Sequence, residues 1–429
     1  MFQPGGILLA LVDVLLVLLV RRRLRGAFPR SPRAVDAVCA AAFVLLAHPA
    51  LVMAARGWGG MRALQRYVPE VVSMTAMGGQ MALILYGLLW GGAALGAAIV
   101  GGLRGIRRAP SAAPTAAGAT EEPRAPGDEP GPPVAPDPGR RRVLAGAAWA
   151  LPAAATGVSF GGVASSRQKP VVTRVLVPVR RDLTGLHGLT FAQISDVHVG
   201  NFMDADRLDE IRDAVNALGA DFHIVTGDLL DNHVSQLELS TRLLRGLRPA
   251  RGELFFCMGN HEHIAARSSS VATIVRGLEE AGAQVLVDEA RRVRVGGDHL
   301  WMGGIDYPSR ARPGETARRP TKEGLERALG QMLDDGAPRL LLSHHPRTFQ
   351  EARELPIDLM LSGHTHGGQI YLGRVGDHAV TPMAPFEHYH NGLYVHGPRR
   401  LYVNAGAGGW LPVRINCPPE ITLVELVPA

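Results

Sequence analysis

Five short clusters of Asp, Asn and His carry residue types and spacings that could do chemistry. They are Asp196-Val197-His198, Gly227-Asp228, Gly259-Asn260-His261-Glu262, Ser343-His344-His345-Pro346 and Gly363-His364-Thr365-His366. Asp196 and His198 stand two apart at the end of an apolar run, where the chain leaves its extended form and both side chains can turn to one ion. Asp228 supplies a carboxylate whose two oxygens are able to bridge two cations. Asn260 offers a neutral carbonyl oxygen, which binds a cation without adding charge. With His344, His364 and His366 the set becomes a mixture of oxygen and nitrogen donors, suited to manganese, iron or zinc and unsuited to an all-oxygen calcium cage.

Each cluster follows a run that reads as a buried strand: residues 189–194, 222–226, 253–258, 339–342 and 358–361. In α/β sheets strand ends converge on one rim, with ligands in the crevice beyond them, so the five clusters are expected to meet. Gly259 and Gly363 are expected to allow close backbone approach there. Between the strands, residues 204–218, 237–247, 271–281 and 324–333 have helical apolar spacing. Residues 283–287, 292–295, 300–303, 392–395, 401–404 and 421–426 read as further short strands. Alternating strands and helices followed by more strands predict two packed sheets with helices outside.

The ordered set D-x-H, G-D, G-N-H-E, H-x-P and G-H-T-H resembles the calcineurin-like metallophosphoesterase superfamily, from about Thr190 to the carboxyl terminus. The resemblance implies an α/β fold, a two-sheet β-sandwich flanked by helices in four layers, α/β/β/α, and two divalent metal ions, manganese favoured. Carried over by position, Asp196, His198 and His366 would hold the first ion, Asn260, His344 and His364 the second, and Asp228 would bridge them. His261 would stand beside the metals as the catalytic residue that neutralises or protonates the leaving oxygen. Two ions about 4 Å apart lower the pKa of a bridging water, polarise phosphoryl oxygens and steady attacking and leaving groups in line. His261 then adds general acid help near neutral pH. The implied reaction is hydrolysis of a phosphodiester or phosphomonoester by metal-activated hydroxide.

Gly367-Gly368-Gln369-Ile370, Gly392-Leu393-Tyr394, Leu401-Tyr402-Val403-Asn404 and Pro418-Pro419-Glu420-Ile421-Thr422-Leu423 resemble the membrane-anchored bacterial branch of extracytoplasmic phosphodiesterases. By analogy the substrate lies near a membrane, as a lipid or envelope precursor. Gly406-Ala407-Gly408-Gly409-Trp410 departs from that branch, Trp410 being bulkier than its pattern implies. His345, adjacent to His344, is expected behind the metals or facing substrate. His187, His223, His233, His263, His378, His388, His390 and His396 are expected to be surface or hydrogen-bonded histidines. The Arg- and Pro-rich stretch 307–322 reads as a charged loop or as a lid in which Arg310, Arg312, Arg318 and Arg319 clamp anionic oxygens.

The chain has 429 residues, 46% of them hydrophobic, with a slightly positive mean hydropathy. That is high for a wholly soluble protein. Apolar segments at 6–20, 37–55, 71–103 and 143–164 are the candidate spans, the first being short for one. Arginines bunched at 21–33 and 104–142 place those loops in the cytoplasm and the remaining domain outside it. The last apolar segment follows Arg140-Arg141-Arg142 and ends near Ala153-Ala154-Ala155, so it reads either as a fourth transmembrane helix or as a twin-arginine export signal. The expected organisation is a transmembrane helical region of about three helices over 1–108, a disordered Pro/Ala/Gly-rich linker over 109–139, the fourth helix or signal-like segment over 140–165, and a phosphoesterase domain over 171–429. The net charge of +6 reads as membrane orientation, and no aromatic-interleaved basic stripe points to nucleic acid. Three cysteines make no disulfide framework, and Cys257 and Cys417 are expected to be buried free thiols. Two other readings compete: a tethered, non-catalytic metal-binding sensor or assembly module, and a nucleotide phosphodiesterase facing the cytoplasm.

Overall fold

The computed structural model describes residues 161–162, 164–200, 203–307, 320–375, 378–409 and 413–429, with a few single positions between 18 and 36. The chain divides into two units, 1–160 and 161–429, and nearly all described residues belong to the second. Apart from Leu18 and positions 161, 162 and 164, the four expected membrane segments and the 109–139 linker lie outside the described residues. Among the described residues no helix is long and apolar enough to cross a membrane.

In chain order the elements are β1 (Val171–Val179), β2 (Thr190–Ile194), α1 (Ala205–Asn216), β3 (Phe222–Val225), α2 (Leu237–Gly246), β4 (Glu253–Cys257), α3 (Asn260–Ala266), α4 (Val271–Glu280), β5 (Ala283–Leu286), β6 (Glu289–Val295) and β7 (Asp298–Gly304). There follow α5 (Pro320–Leu329), β8 (Arg339–Leu342), α6 (Phe349–Ala352), β9 (Leu359–Ser362), β10 (Gly373–Val375), β11 (His378–Val380), β12 (Gly392–His396), β13 (Arg399–Val403) and β14 (Glu420–Pro428). One sheet has the order β1-β14-β2-β3-β4-β5 and the other β12-β13-β9-β8-β7-β6, with β10 and β11 as a separate hairpin. From β2 to β5 the strands are parallel, as are those from β13 to β7, so both sheets present several carboxyl ends in a row.

Side-chain alternation explains why these strands read as continuous apolar runs: both faces are covered. Phe191, Phe222, Ile224 and Phe255 from the first sheet meet Leu340, Leu342, Leu359 and Leu361 from the second in one buried core. On the other face of the first sheet, Ala192, Val225, Leu254 and Phe256 pack with Leu208 and Ile211 of α1, Leu244 of α2, and Ile274 and Leu278 of α4. On the outer face of the second, Leu341, Met360 and Val403 pack with Leu325 of α5 and Phe349 of α6. The mixed α/β sheets therefore stack helix, sheet, sheet, helix.

Three local readings change. The helix expected at 324–333 runs instead over Pro320–Leu329. Gly324, which looks like a helix boundary, lies inside the helix because a Cβ there would come within 2.6 Å of the Asp288 carboxylate. β1 pairs in parallel with the full length of β14 and had no alternation strong enough to mark it. His223 is not on the surface: it is buried on β3, and among the described residues neither ring nitrogen has a hydrogen-bond partner. Cys257 and Cys417 are buried and free, as expected.

Candidate metal centre

The five clusters sit at the ends of β2, β3 and β4 in one sheet and of β8 and β9 in the other. Backbone bonds carry the strand pairing past the strand ends, with Asp196 N donating to Gly227 O at 3.1 Å and His198 N to Asp228 O at 3.0 Å. Within the second sheet Gly363 N donates to His344 O at 3.1 Å, and across the sheets His364 N donates to the Asp196 carboxylate at 2.9 and 3.1 Å. The loops are thereby fastened to one another before any side chain turns inward.

Their backbone is strained. Asp196, His198, Asp228, His364 and His366 all have φ between 51° and 73°, and they are five of the eight non-glycine residues in that region among the described residues. Left-handed backbone is uncommon for such side chains, costs on the order of 1–3 kcal/mol each, and clusters where function over-determines the geometry. Glycines make room beside them. A Cβ at Gly259 would lie 2.2 Å from Asp228 Oδ1, and one at Gly363 would lie 1.9 Å from Ser195 Oγ.

The side chains gather in two sets around Asp228. On one side His366 Nε2 lies 3.1 Å from His198 Nε2 and 3.4 Å from Asp196 Oδ1, with Asp228 Oδ2 3.7 Å from His198 Nε2. On the other, His344 Nε2 lies 3.1 Å from Asp228 Oδ2, while His364 Nδ1 is 3.2 Å from His344 Nε2 and 2.9 Å from Asn260 Oδ1. Asp196, His198 and His366 form one group of ligand atoms within 4.8 Å of one another, and Asp228, His344 and His364 form another. The donor chemistry fits a pair of divalent cations. His344 Nδ1 donates to Thr226 O at 2.7 Å, which leaves its Nε2 lone pair aimed at the cluster.

Electrostatics point the same way. Burial, then the charge on His344, drives His364 well below the usual imidazole range; burial, then the charges on His198 and Arg414, does the same to His366. Both shifts favour the neutral ring, the form in which an imidazole can ligate a cation. Burial opposes the charged form of His344, but the Asp228 carboxylate overrides it and raises the ring to about 10. Burial works against ionisation of Asp228 too, yet His344 holds its carboxyl well below the usual range. Asp196 is raised, first by burial. A cation favours the ionised carboxylates and displaces the shared proton, so binding is coupled to proton release.

His261 stands beside the first set, its ring centroid 4.5 Å from that of His198. Its Nδ1 donates to Asp231 O, and its backbone N donates to Asp228 Oδ1 at 2.8 Å. His345 lies next to His364, centroids 4.3 Å apart, and faces Tyr307 with nearly parallel rings. Burial lowers His345 to about 4. Arg310, Arg312, Arg318, Arg319 and Trp410 lie outside the described residues. Of the histidines expected to be surface or hydrogen-bonded, His390 is buried with Nε2 2.8 Å from Ala379 O, and His388 is exposed.

Sequence reasoning gave no role to Glu262, Asp231, Tyr307 or Arg414. Glu262 is fully buried, and its two oxygens accept from the backbone N of Asp228, Leu229, Leu230 and Gly259 at 2.8–3.0 Å. It pins the β3 loop to the start of α3. Its place three residues after Gly259 is the capping-box spacing, which was the available signal. Asp231 has Oδ1 3.7 Å from His198 Nδ1 and 3.6 Å from His261 Nδ1, and no local pattern singles it out.

Residues 189–368 match the family described as calcineurin-like phosphoesterase. The chain contains a calcineurin-like metallophosphoesterase domain. An uncharacterized metallophosphoesterase of Helicobacter pylori is 31% identical over 238 residues, 55% of this chain and 59% of that protein. A Danio rerio protein named transmembrane protein with metallophosphoesterase domain is 29% identical over 282 residues, covering 62% of this chain and 59% of its own. Escherichia coli phosphodiesterase YaeI is 34% identical over 183 residues, 40% of this chain and 58% of that one. The chain thus spans about three fifths of the length of these relatives. Within the metallophosphoesterase domain the matched stretch begins at β2 and ends just after His366, so it takes in all five clusters.

Proposed function

We propose that this chain is a membrane-anchored, binuclear-metal-dependent phosphoester hydrolase whose catalytic domain lies outside the cytoplasm. The observation that carries the reading is the division of seven donors into two sets on either side of the Asp228 carboxylate. Asp196, His198 and His366 would hold one cation, Asn260, His344 and His364 the other, with Asp228 between them. When bound, the pair supplies an activated water and neutralises charge on the phosphoryl oxygens. The chain's own residues do the rest. Asp228 and the five fastened loops fix where the phosphorus sits. His261, with Nδ1 held by Asp231 O, is left with Nε2 for proton delivery. As the water oxygen bonds to phosphorus and the ester P–O bond breaks, the departing alkoxide would take a proton from Nε2 of the protonated His261 ring, and the proton given up by the water would restore it. Tyr307 and His345 form an aromatic wall beside the second set, where a substrate's organic group would lie.

Membrane anchoring is supported by the apolar segments before residue 165 and by the names of the Danio rerio and Bos taurus relatives. A phosphodiester substrate is supported by the name of the Escherichia coli relative. Lipid or envelope precursors suit that location, and manganese suits the donor set.

The test is to strip the full chain of metal in detergent, resupply manganese, and assay one aryl phosphodiester and one aryl phosphomonoester. Hydrolysis of either that depends on added metal supports the reading. Metal binding without hydrolysis of either substrate contradicts it and favours the tethered binding module. A reporter fused after Ala164 should be active only outside the cytoplasm; activity inside would point to the nucleotide phosphodiesterase.

A further inference from the structure

Arg414 is among the largest fully buried side chains of the protein, a cation with no exposed surface. Its Nε donates to Gly408 O at 3.1 Å, and its Nη2 to Ala405 O at 2.8 Å, Gly406 O at 3.0 Å and Gly408 O at 2.5 Å. Its Nη1 donates to Cys417 O at 3.2 Å and Pro418 O at 3.4 Å, with Cys417 Sγ at 3.5 Å. Five carbonyls surround one guanidinium, and none of these acceptors is a carboxylate. A planar fork with five N–H donors can satisfy that ring of oxygens, whereas an ammonium with three cannot.

The segments tied by this knot press on the first donor set alone. Ala407 N donates to Ser195 O at 2.9 Å and Gly408 N to Asp196 O at 3.1 Å. Gly406, at φ +82°, packs so tightly that a Cβ would lie 3.0 Å from Asp196 Cβ and 3.5 Å from His366 Nδ1. Cys417 Sγ lies 3.5 Å from His366 O. Asp196 and His366 both hold left-handed backbone and need an external restraint. None of these contacts touches Asn260, His344 or His364 directly, and the Asp196 carboxylate meets His364 only at its backbone N.

We propose that Arg414 is a positioning residue: by knotting the 405–408 and 417–418 backbone it clamps Asp196 and His366 in ligating geometry, and so sets the cation affinity of the first donor set and leaves the second unchanged. The proposal rests on the two-cation reading above. Supporting groups of this kind change metal affinity about 10- to 100-fold.

The experiment is a manganese titration of the full chain in detergent, in two backgrounds that each retain one donor set. In His344→Ala, Arg414→Lys should weaken the remaining manganese about 10- to 100-fold; in His366→Ala the same change should leave affinity within about twofold. Equal weakening in both backgrounds, or none in either, overturns the proposal. If Arg414→Lys fails to fold, as judged by circular dichroism of the metal-free protein, Gly406→Ala takes its place, since its Cβ would crowd Asp196 and the Arg414 guanidinium and should give the same asymmetry. Failure of both His344→Ala and His366→Ala, and of the parent chain, to bind manganese would instead overturn the two-cation reading itself.

Discussion

The two halves of the donor cluster sit in unlike surroundings. Asp196, His198 and His366 are 0%, 4% and 8% exposed, and the Arg414 knot backs Asp196 and His366. In the second set His344 is as deep, at 1% exposed, but Asn260 and His364 are only partly buried, and beside them stand His345 and Tyr307. The contrast assigns different work to each half. On the proposed two-cation reading the first set retains its ion, and the half that includes Asn260 and His364 meets the substrate.

The strongest way to break this contrast is to remove what the halves share. Asp228→Ala should abolish measurable turnover and weaken manganese binding in both sets, read by titration and by hydrolysis of an aryl phosphoester. Retention of two tight ions with full turnover would remove the basis for calling Asp228 a bridge. His261→Ala should keep both ions while lowering kcat by about 10²- to 10⁴-fold, the usual contribution of a positioned proton donor. Loss of metal together with rate would make His261 a ligand instead. On the open side, His345→Ala should raise KM about tenfold, or about 1.4 kcal/mol in binding, with kcat and metal content little changed. If kcat falls and KM holds, the aromatic wall belongs to the chemistry and not to substrate recognition.

The smallest effect lies away from the centre. Burial lowers His223 from 6.5 to about 4, so the folded protein keeps it neutral where the unfolded chain binds a proton. Stability from this group is full above pH 6.5 and is lost as pH falls toward 4, by up to about 3 kcal/mol. His223→Leu, in register with Ala192 and Leu254 of the helix-facing core, should flatten that slope. Denaturation of the metal-free chain between pH 7.5 and 4.5 reads the difference, and an unchanged slope would mean the ring finds a partner.

Much of this architecture was legible because both strand faces are covered. Runs such as Phe222–Val225 and Arg339–Leu342 are buried at every position and mostly apolar, and the turn residues after them carry the donors. All seven donors named from the sequence were brought together, since strand ends on one rim leave them little choice. Most of what escaped has no motif or periodicity to mark it. Arg414 gives no local sign that it will meet carbonyls from 405 to 418, and Asp231 matters through His198 and His261, 33 and 30 residues away. His223 read as an ordinary polar histidine because nothing in its neighbours shows that α1 and α2 close over it. β1 was missed because its exposed edge breaks the alternation.

The most direct test of the central claim is crystallographic: grow the chain with manganese and locate the ions by anomalous scattering. The account predicts two peaks about 4 Å apart, one beside Asp196, His198 and His366, the other beside Asn260, His344 and His364, with Asp228 touching both. A single peak, or two peaks that do not share Asp228, would contradict it.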